Sequence, residues 1–224
     1  MKSLLCLLPL AILACNRAEE DRVSVVLVSI DSLRADFCSP YGHSPLFAPG
    51  EKTTPFLTRL AQEGVLFESC SAASPWTLPS HVSILSGASP LEHGVRARRF
   101  RMPADLGLIS EKFQNAGWAT GGFFSAPFLH PAWGFFRGFD VYLPGPPYLQ
   151  GLEAAAAIVQ RGSRKIQGFH EQADSDRETA PATLGKALEW LEEDNRWQDP
   201  FFLFIHLWDP HYDYQPPAEY AHRF

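Results

Sequence analysis

The sequence predicts a layered α/β fold, and three observations carry that expectation. Apolar runs at 22–30 and 201–207 have the near-continuous pattern of strands buried on both faces. Helix-like and strand-like segments alternate along the chain. Asp31 and the run Asp209-Pro210-His211 stand just past the two apolar runs, and open α/β sheets bind ligands beyond the carboxyl ends of their strands.

Taken in order, 22–30 (RVSVVLVSI) reads as a central strand. A Pro-, Gly- and Ser-rich loop at 39–51 leads to a helix at 54–64, opened by Thr54-Pro55, with Phe56, Leu57 and Leu60 on one face. Residues 65–70 read as a second strand. A short helix follows from Pro79, with Leu78, Val82 and Leu85 at i, i+4 and i+7 and Gly87 as its stop. Segment 106–116 patterns as a helix ended by Gly117, and 118–125 as a strand. The aromatic, Gly- and Pro-rich stretch 127–147 reads as a structured loop, 152–167 as a helix and 168–177 as a polar loop. The clearest helix is 179–195, where Leu184, Ala187, Leu188 and Leu191 recur at helical spacing, with Pro181 in the first turn.

The chain has 224 residues, 46% hydrophobic and 20% charged, which suits one globular domain with a real core. A formal net charge of -6 argues against a nucleic-acid partner, which usually demands a basic footprint. Residues 1–22 read as a targeting segment, leaving 23–224 as the domain. Lys2 gives a positive start, and 4–14 is apolar but too short to span a bilayer. Ile12-Leu13-Ala14-Cys15 resembles the lipobox of bacterial lipoproteins. The expectation is an exported protein held at the bacterial cell envelope by a lipidated Cys15, with 16–22 as a tether. The alternative is an ordinary cleaved signal peptide. Cys38 and Cys70 are expected to be two separate small buried residues rather than a disulfide.

The stretch Ser74-Pro75-Trp76-Thr77-Leu78-Pro79-Ser80-His81 carries a hydroxyl, Thr77, into a helix start. Unpaired N–H groups and the helix dipole favour an anion there, so Thr77 reads either as a nucleophile toward an anionic ester or as a helix cap. Asp31 reads as a metal-holding carboxylate or as the cap of the next turn. The cluster Arg96, Arg98, Arg99 and Arg101 reads as a solvated loop that could also attract an anionic substrate. His93 reads as structural, and His206 as either a core histidine or a site residue.

Three motifs stand in order: Val28-Ser29-Ile30-Asp31-Ser32-Leu33-Arg34-Ala35-Asp36, then Trp76-Thr77-Leu78-Pro79-Ser80-His81 with Ser83-Ile84-Leu85-Ser86-Gly87, then Asp209-Pro210-His211. Together with His93-Gly94-Val95, Gly117-Trp118-Ala119-Thr120 and Gly138-Phe139-Asp140, they resemble the sulfatase family of the alkaline phosphatase superfamily. The resemblance implies an alkaline-phosphatase-like α/β/α domain with a largely parallel central sheet, incomplete at the C-terminus.

It also implies roles. Asp31 matches the first metal carboxylate, Thr77 the nucleophile and a second metal donor, and His211 a histidine near the leaving group. His81 stands where true sulfatases carry the Arg of their modification signature, and is taken as a third catalytic position. The implied cofactor is one divalent ion, Ca²⁺, Mg²⁺, Mn²⁺ or Zn²⁺. The implied partner is an anionic ester: a sulfated or phosphorylated glycan, lipid or small molecule.

Departures refine the picture. Threonine is not converted to formylglycine by the usual route, and Ser32 replaces the second Asp of the family pair. Phe123-Phe124-Ser125 stands where arylsulfatases carry Lys and His. These changes point to threonine-nucleophile relatives such as phosphoglycerol transferases and phosphodiesterases. The family's remaining metal ligands, an Asp followed by His or Asn, have no counterpart in the 224 residues. A shortened module that binds an anionic glycan or headgroup without catalysis is therefore the competing expectation.

Overall fold

A computed structural model describes residues 22–145, 179–211, 216–218, 220 and 221. Among these residues, four strands form one sheet in the order β1 (Val25–Ile30), β4 (Phe201–Leu207), β2 (Ala119–Phe124) and β3 (Val141–Pro144). Every pairing is parallel, so the fold is the α/β fold with a parallel sheet that the sequence predicts.

Alternation along β4 explains the layers. Phe202 and Phe204 point to one face, while Phe201, Leu203 and Ile205 point to the other. The first face packs on α2 (Thr77–Ser86), whose Leu78, Val82 and Leu85 are buried at the predicted spacing. The second packs on α5 (Ala180–Glu192) through Ala187 and Trp190. β2 carries Gly121 and Gly122 on opposite faces for close approach. A Cβ on Gly121 would stand 3.0 Å from the Trp190 ring, and one on Gly122 would overlap the Tyr142 ring.

Among the described residues, the other α-helices are α1 (Pro55–Glu63), the four-residue α3 (Pro90–His93) and α4 (Ile109–Asn115), shorter than the predicted 106–116.

Several expectations are corrected. β1 is an edge strand among the described residues: Leu27 packs on the α2-side core, but Val26 and Val28 are about half exposed. Residues 65–70 form no strand. They are irregular, with a bend at 68–69 and with Val65 and Phe67 exposed, and among the described residues no neighbouring strand offers them a ladder. The stretch 127–147 is not all loop: it contains two 3₁₀ turns and β3, which adds in register to β2. Cys38 and Cys70 are separate free thiols, but Cys70 is exposed, not buried. The predicted leader, the helix at 152–167 and the loop at 168–177 lie outside the described residues. Among those described, no helix is long and apolar enough to cross a membrane.

Candidate active site

The carboxyl ends of β1 and β4 lie side by side, with Ser29 paired to His206 and Ile30 to Leu207. The Asp31 N–H extends the ladder by one bond, to the Leu207 carbonyl at 2.9 Å. Asp31 is thereby fixed at the strand end, on the same side as Ser29 and facing α2. It caps no helix: the next 3₁₀ turn, Ala35–Phe37, has Arg34 at its N-cap. Ser32 takes a left-handed φ of 56°, an uncommon conformation for a non-glycine residue, and its hydroxyl donates to Asp31 Oδ1 at 2.9 Å.

Thr77 comes from the other side. Trp76, extended at φ -146° and packed edge-on to Phe128, is the N-cap of α2, and Thr77 is the first helical residue. The Thr77 hydroxyl does not cap the helix. It donates to Asp31 Oδ2 at 2.8 Å, across 46 residues of chain. His206 Nε2 approaches the same oxygen at 3.4 Å. A carboxylate only accepts, so a proton on His206 Nε2 lies on the Asp31 side, while the buried Nδ1 has no hydrogen-bond partner among the described residues. Burial alone would raise the Asp31 carboxyl, but the hydrogen bonds from His206, Thr77 and Ser32 outweigh it. The group is held well below the usual carboxylate range and is ionised at neutral pH.

His81 is turned inward. Its Nδ1 meets the Thr77 carbonyl at 2.8 Å and its Nε2 meets Ser29 Oγ at 2.8 Å. Because a carbonyl cannot donate, Nδ1 carries the proton and Nε2 accepts from Ser29. The ring is buried, edge-on to His206 at 4.8 Å. Burial first, then the neighbouring His206, pushes its pKa down to about 4. Both nitrogens are occupied, so this neutral ring ties α2 to β1 beneath Thr77.

His211 closes a turn after β4. Its N–H donates to the Trp208 carbonyl at 2.8 Å, and its ring stacks on Trp208 at 3.7 Å. Trp208 in turn lies 6.4 Å from His206, so aromatic rings run outward from Asp31 to His211. Asp209 takes three donors at the start of α5.

The structure thus brings Asp31, Thr77 and His206 together and places His81 behind them. The contribution of Ser29 was not anticipated from sequence. Its signal was available: Ser29 and Asp31 are two apart on one strand, so they share a face. As a metal centre the corner supplies two oxygen donors, from Asp31 and Thr77. Among the described residues, no cluster of three or more His, Cys, Asp or Glu could hold an ion. A hard cation asks for six or more oxygens, so these residues fit one edge of such a site and do not complete it.

Comparison with known proteins gives a consistent result. The profile of the family described as Sulfatase matches residues 24–224. N-acetylgalactosamine-6-sulfatase of Mus musculus is 27% identical over 234 residues, covering 90% of this chain and 42% of the mouse protein. The chain thus spans well under half the length of that curated relative. Among solved structures, phosphonate monoester hydrolase of Agrobacterium radiobacter superimposes with a TM-score of 0.65 at 21% identity, covering 89% of this chain and 43% of the hydrolase. A protein solved in complex with its substrate D-glucosamine-2-N,6-O-disulfate gives a TM-score of 0.62 at 20% identity, with 89% and 37% covered. At these identities the two structures speak for the fold.

Proposed function

The chain belongs to the sulfatase family, and on that premise we propose that it supplies the nucleophile side of a hydrolase or transferase acting on sulfate or phosphate esters. One observation carries the reading: the Thr77 hydroxyl opens α2 and donates to a partly buried, ionised Asp31. Asp31 holds the hydroxyl hydrogen on its own side, which leaves the Thr77 Oγ lone pairs for the ester. The N-terminus of α2 favours the anionic oxygens of that ester. Thr77 Oγ would attack sulfur or phosphorus as its proton passes to Asp31 Oδ2, the bond to the leaving oxygen would break, and a protonated His211 would give that oxygen a proton. The covalent intermediate would then pass to water or an acceptor alcohol. A divalent ion held in part by Asp31 and Thr77 would lower the pKa of the hydroxyl and neutralise charge on the ester once its ligand set is complete.

Threonine at this position favours a phosphoryl-type ester over the formylglycine chemistry of true sulfatases. The mouse relative and the disulfate complex support a sulfated glycan as the other substrate class. The competing reading, a module that binds an anionic headgroup without turnover, draws on the two-donor metal corner.

Thr77→Ala decides between turnover and binding. Assayed on 4-nitrophenyl sulfate, 4-nitrophenyl phosphate and bis(4-nitrophenyl) phosphate with divalent ions present, it should lose at least about 10³-fold in kcat/KM. Turnover equal to wild type would end the nucleophile assignment.

A further inference from the structure

We propose that Asp209, the acid of Asp-Pro-His, is a positioning residue: it clamps the N-terminus of α5 to the turn after β4 and so sets the place of His211. The inference rests on the role assigned to His211 above. Sequence position alone suggests the opposite. Asp209 stands beyond β4 much as Asp31 stands beyond the neighbouring β1, and a second carboxylate there looks like a metal ligand or a general acid.

The contacts assign it elsewhere. Asp209 Oδ1 accepts the Thr179 N–H at 2.7 Å and the Ala180 N–H at 3.0 Å, and Oδ2 accepts the Thr179 hydroxyl at 2.8 Å. Thr179 is the N-cap of α5 by position, yet its side chain caps nothing. The acceptor that the first N–H groups of a helix require is delivered instead from 30 residues away. An anion is well suited to that end of a helix dipole. Both carboxylate oxygens are thus engaged by α5.

The turn is pinned from both sides. On the far side, the Trp208 N–H donates to Ser125 Oγ at 2.9 Å, and Ser125 also bonds the His206 carbonyl. On the near side Asp209 reaches α5. Between them the His211 N–H closes onto the Trp208 carbonyl, and the two rings stack. Releasing Asp209 frees the one side that binds the turn to α5. His211 would then shift by a distance that matters, since a misplacement of about 1 Å costs on the order of 10²-fold in rate.

Asparagine separates the two roles. Its carbonyl oxygen accepts both N–H groups and its amide donates to the Thr179 hydroxyl, so the clamp survives without the charge. Asp209→Ala should lose amide-exchange protection at Thr179 and Ala180 and shift the His211 ring resonances away from their stacked position. It should lower kcat on the 4-nitrophenyl esters by about 10- to 100-fold, with KM within about threefold. Asp209→Asn should restore protection, ring shift and kcat to within about threefold of wild type. Asparagine as damaging as alanine, or loss of Mg²⁺ or Zn²⁺ binding in a variant whose Thr179 and Ala180 amides stay protected, would overturn the clamp and make Asp209 a ligand or acid. His211→Ala tests the premise separately. Wild-type kcat there removes the catalytic arm of the inference, while exchange at Thr179 and Ala180 still decides the clamp itself.

Discussion

At the N-terminal end of α2, His81 donates from Nδ1 to the Thr77 carbonyl and accepts at Nε2 from Ser29. Past its C-terminal end, His93 does the reverse: Nδ1 accepts the Val95 N–H at 3.0 Å, and Nε2 meets Ser83 Oγ at 3.1 Å. A backbone N–H only donates, so His93 carries its proton on Nε2. The two buried rings are opposite tautomers doing the same work, each joining one backbone group to one serine. Only the surroundings differ. His81 lies under the Thr77–Asp31 bond and against His206, whereas among the described residues the charge that acts on His93 is the neighbouring Glu92 of α3. A histidine in a suggestive motif is therefore no guide to chemistry until the partners of both its nitrogens are known.

The strongest way to sharpen that contrast is to change the acid and leave the rings. Asp31→Asn keeps the shape of the corner but removes the charge that would hold a cation and aim the Thr77 hydroxyl. Turnover should fall by at least about 10³-fold, and the urea midpoint at pH 7 should fall as well, because the fold holds the Asp31 carboxyl below its ordinary range. A variant with near-normal kcat/KM would show that the N-terminal end of α2 is as purely structural as the C-terminal end.

The rings themselves should register in stability. His81→Phe keeps ring volume but strands the buried Thr77 carbonyl and the Ser29 hydroxyl, at about 2–4 kcal/mol. His93→Phe should cost about 1–2 kcal/mol, because Ser83 and the exposed Gly94 leave water a route to the freed groups. Urea denaturation measures both. Equal losses would erase the difference drawn between the two ends.

These contacts also mark what the chain discloses unaided. The alternation that buries Phe202 and Phe204 on one face and Leu203 and Ile205 on the other is legible, as is the Leu78, Val82, Leu85 stripe, because both periods are local. Asp31 and Thr77 are legible as a pair through their motifs. That Thr77 donates to Asp31 rather than capping α2 is not, since the bond spans 46 residues. Strand 65–70 fails for a related reason: Val65, Leu66 and Phe67 have strand propensity, but a ladder needs a partner that the local sequence does not specify. His81 and Asp209 were the least legible of all. Both sit in catalytic-looking motifs, and their roles depend on Ser29 and on Thr179 and Ala180, each far away in sequence.

Acid is the mildest probe of the two rings, and its sign follows from the tautomers. Burial lowers the pKa of both histidines, His81 to about 4, with His206 as the second cause at His81. An unfolded chain takes up these protons near pH 6.5, while the native fold resists them. Protonated His93 would set an N–H against the Val95 N–H, and protonated His81 would bury a charge beside His206. Unfolding therefore binds protons, and the stabilisation present above about pH 6.5 is lost as pH falls toward 4. For His81 the loss approaches about 2–3 kcal/mol at the bottom of that window. His93→Gln should remove only the part that belongs to the C-terminal end of α2, because glutamine does not titrate. Urea midpoints measured at several values between pH 7 and 4 should thus fall less steeply in His93→Gln than in wild type. Parallel curves would mean that His93 keeps an ordinary pKa in the fold, and the kinship of the two rings would reduce to geometry alone.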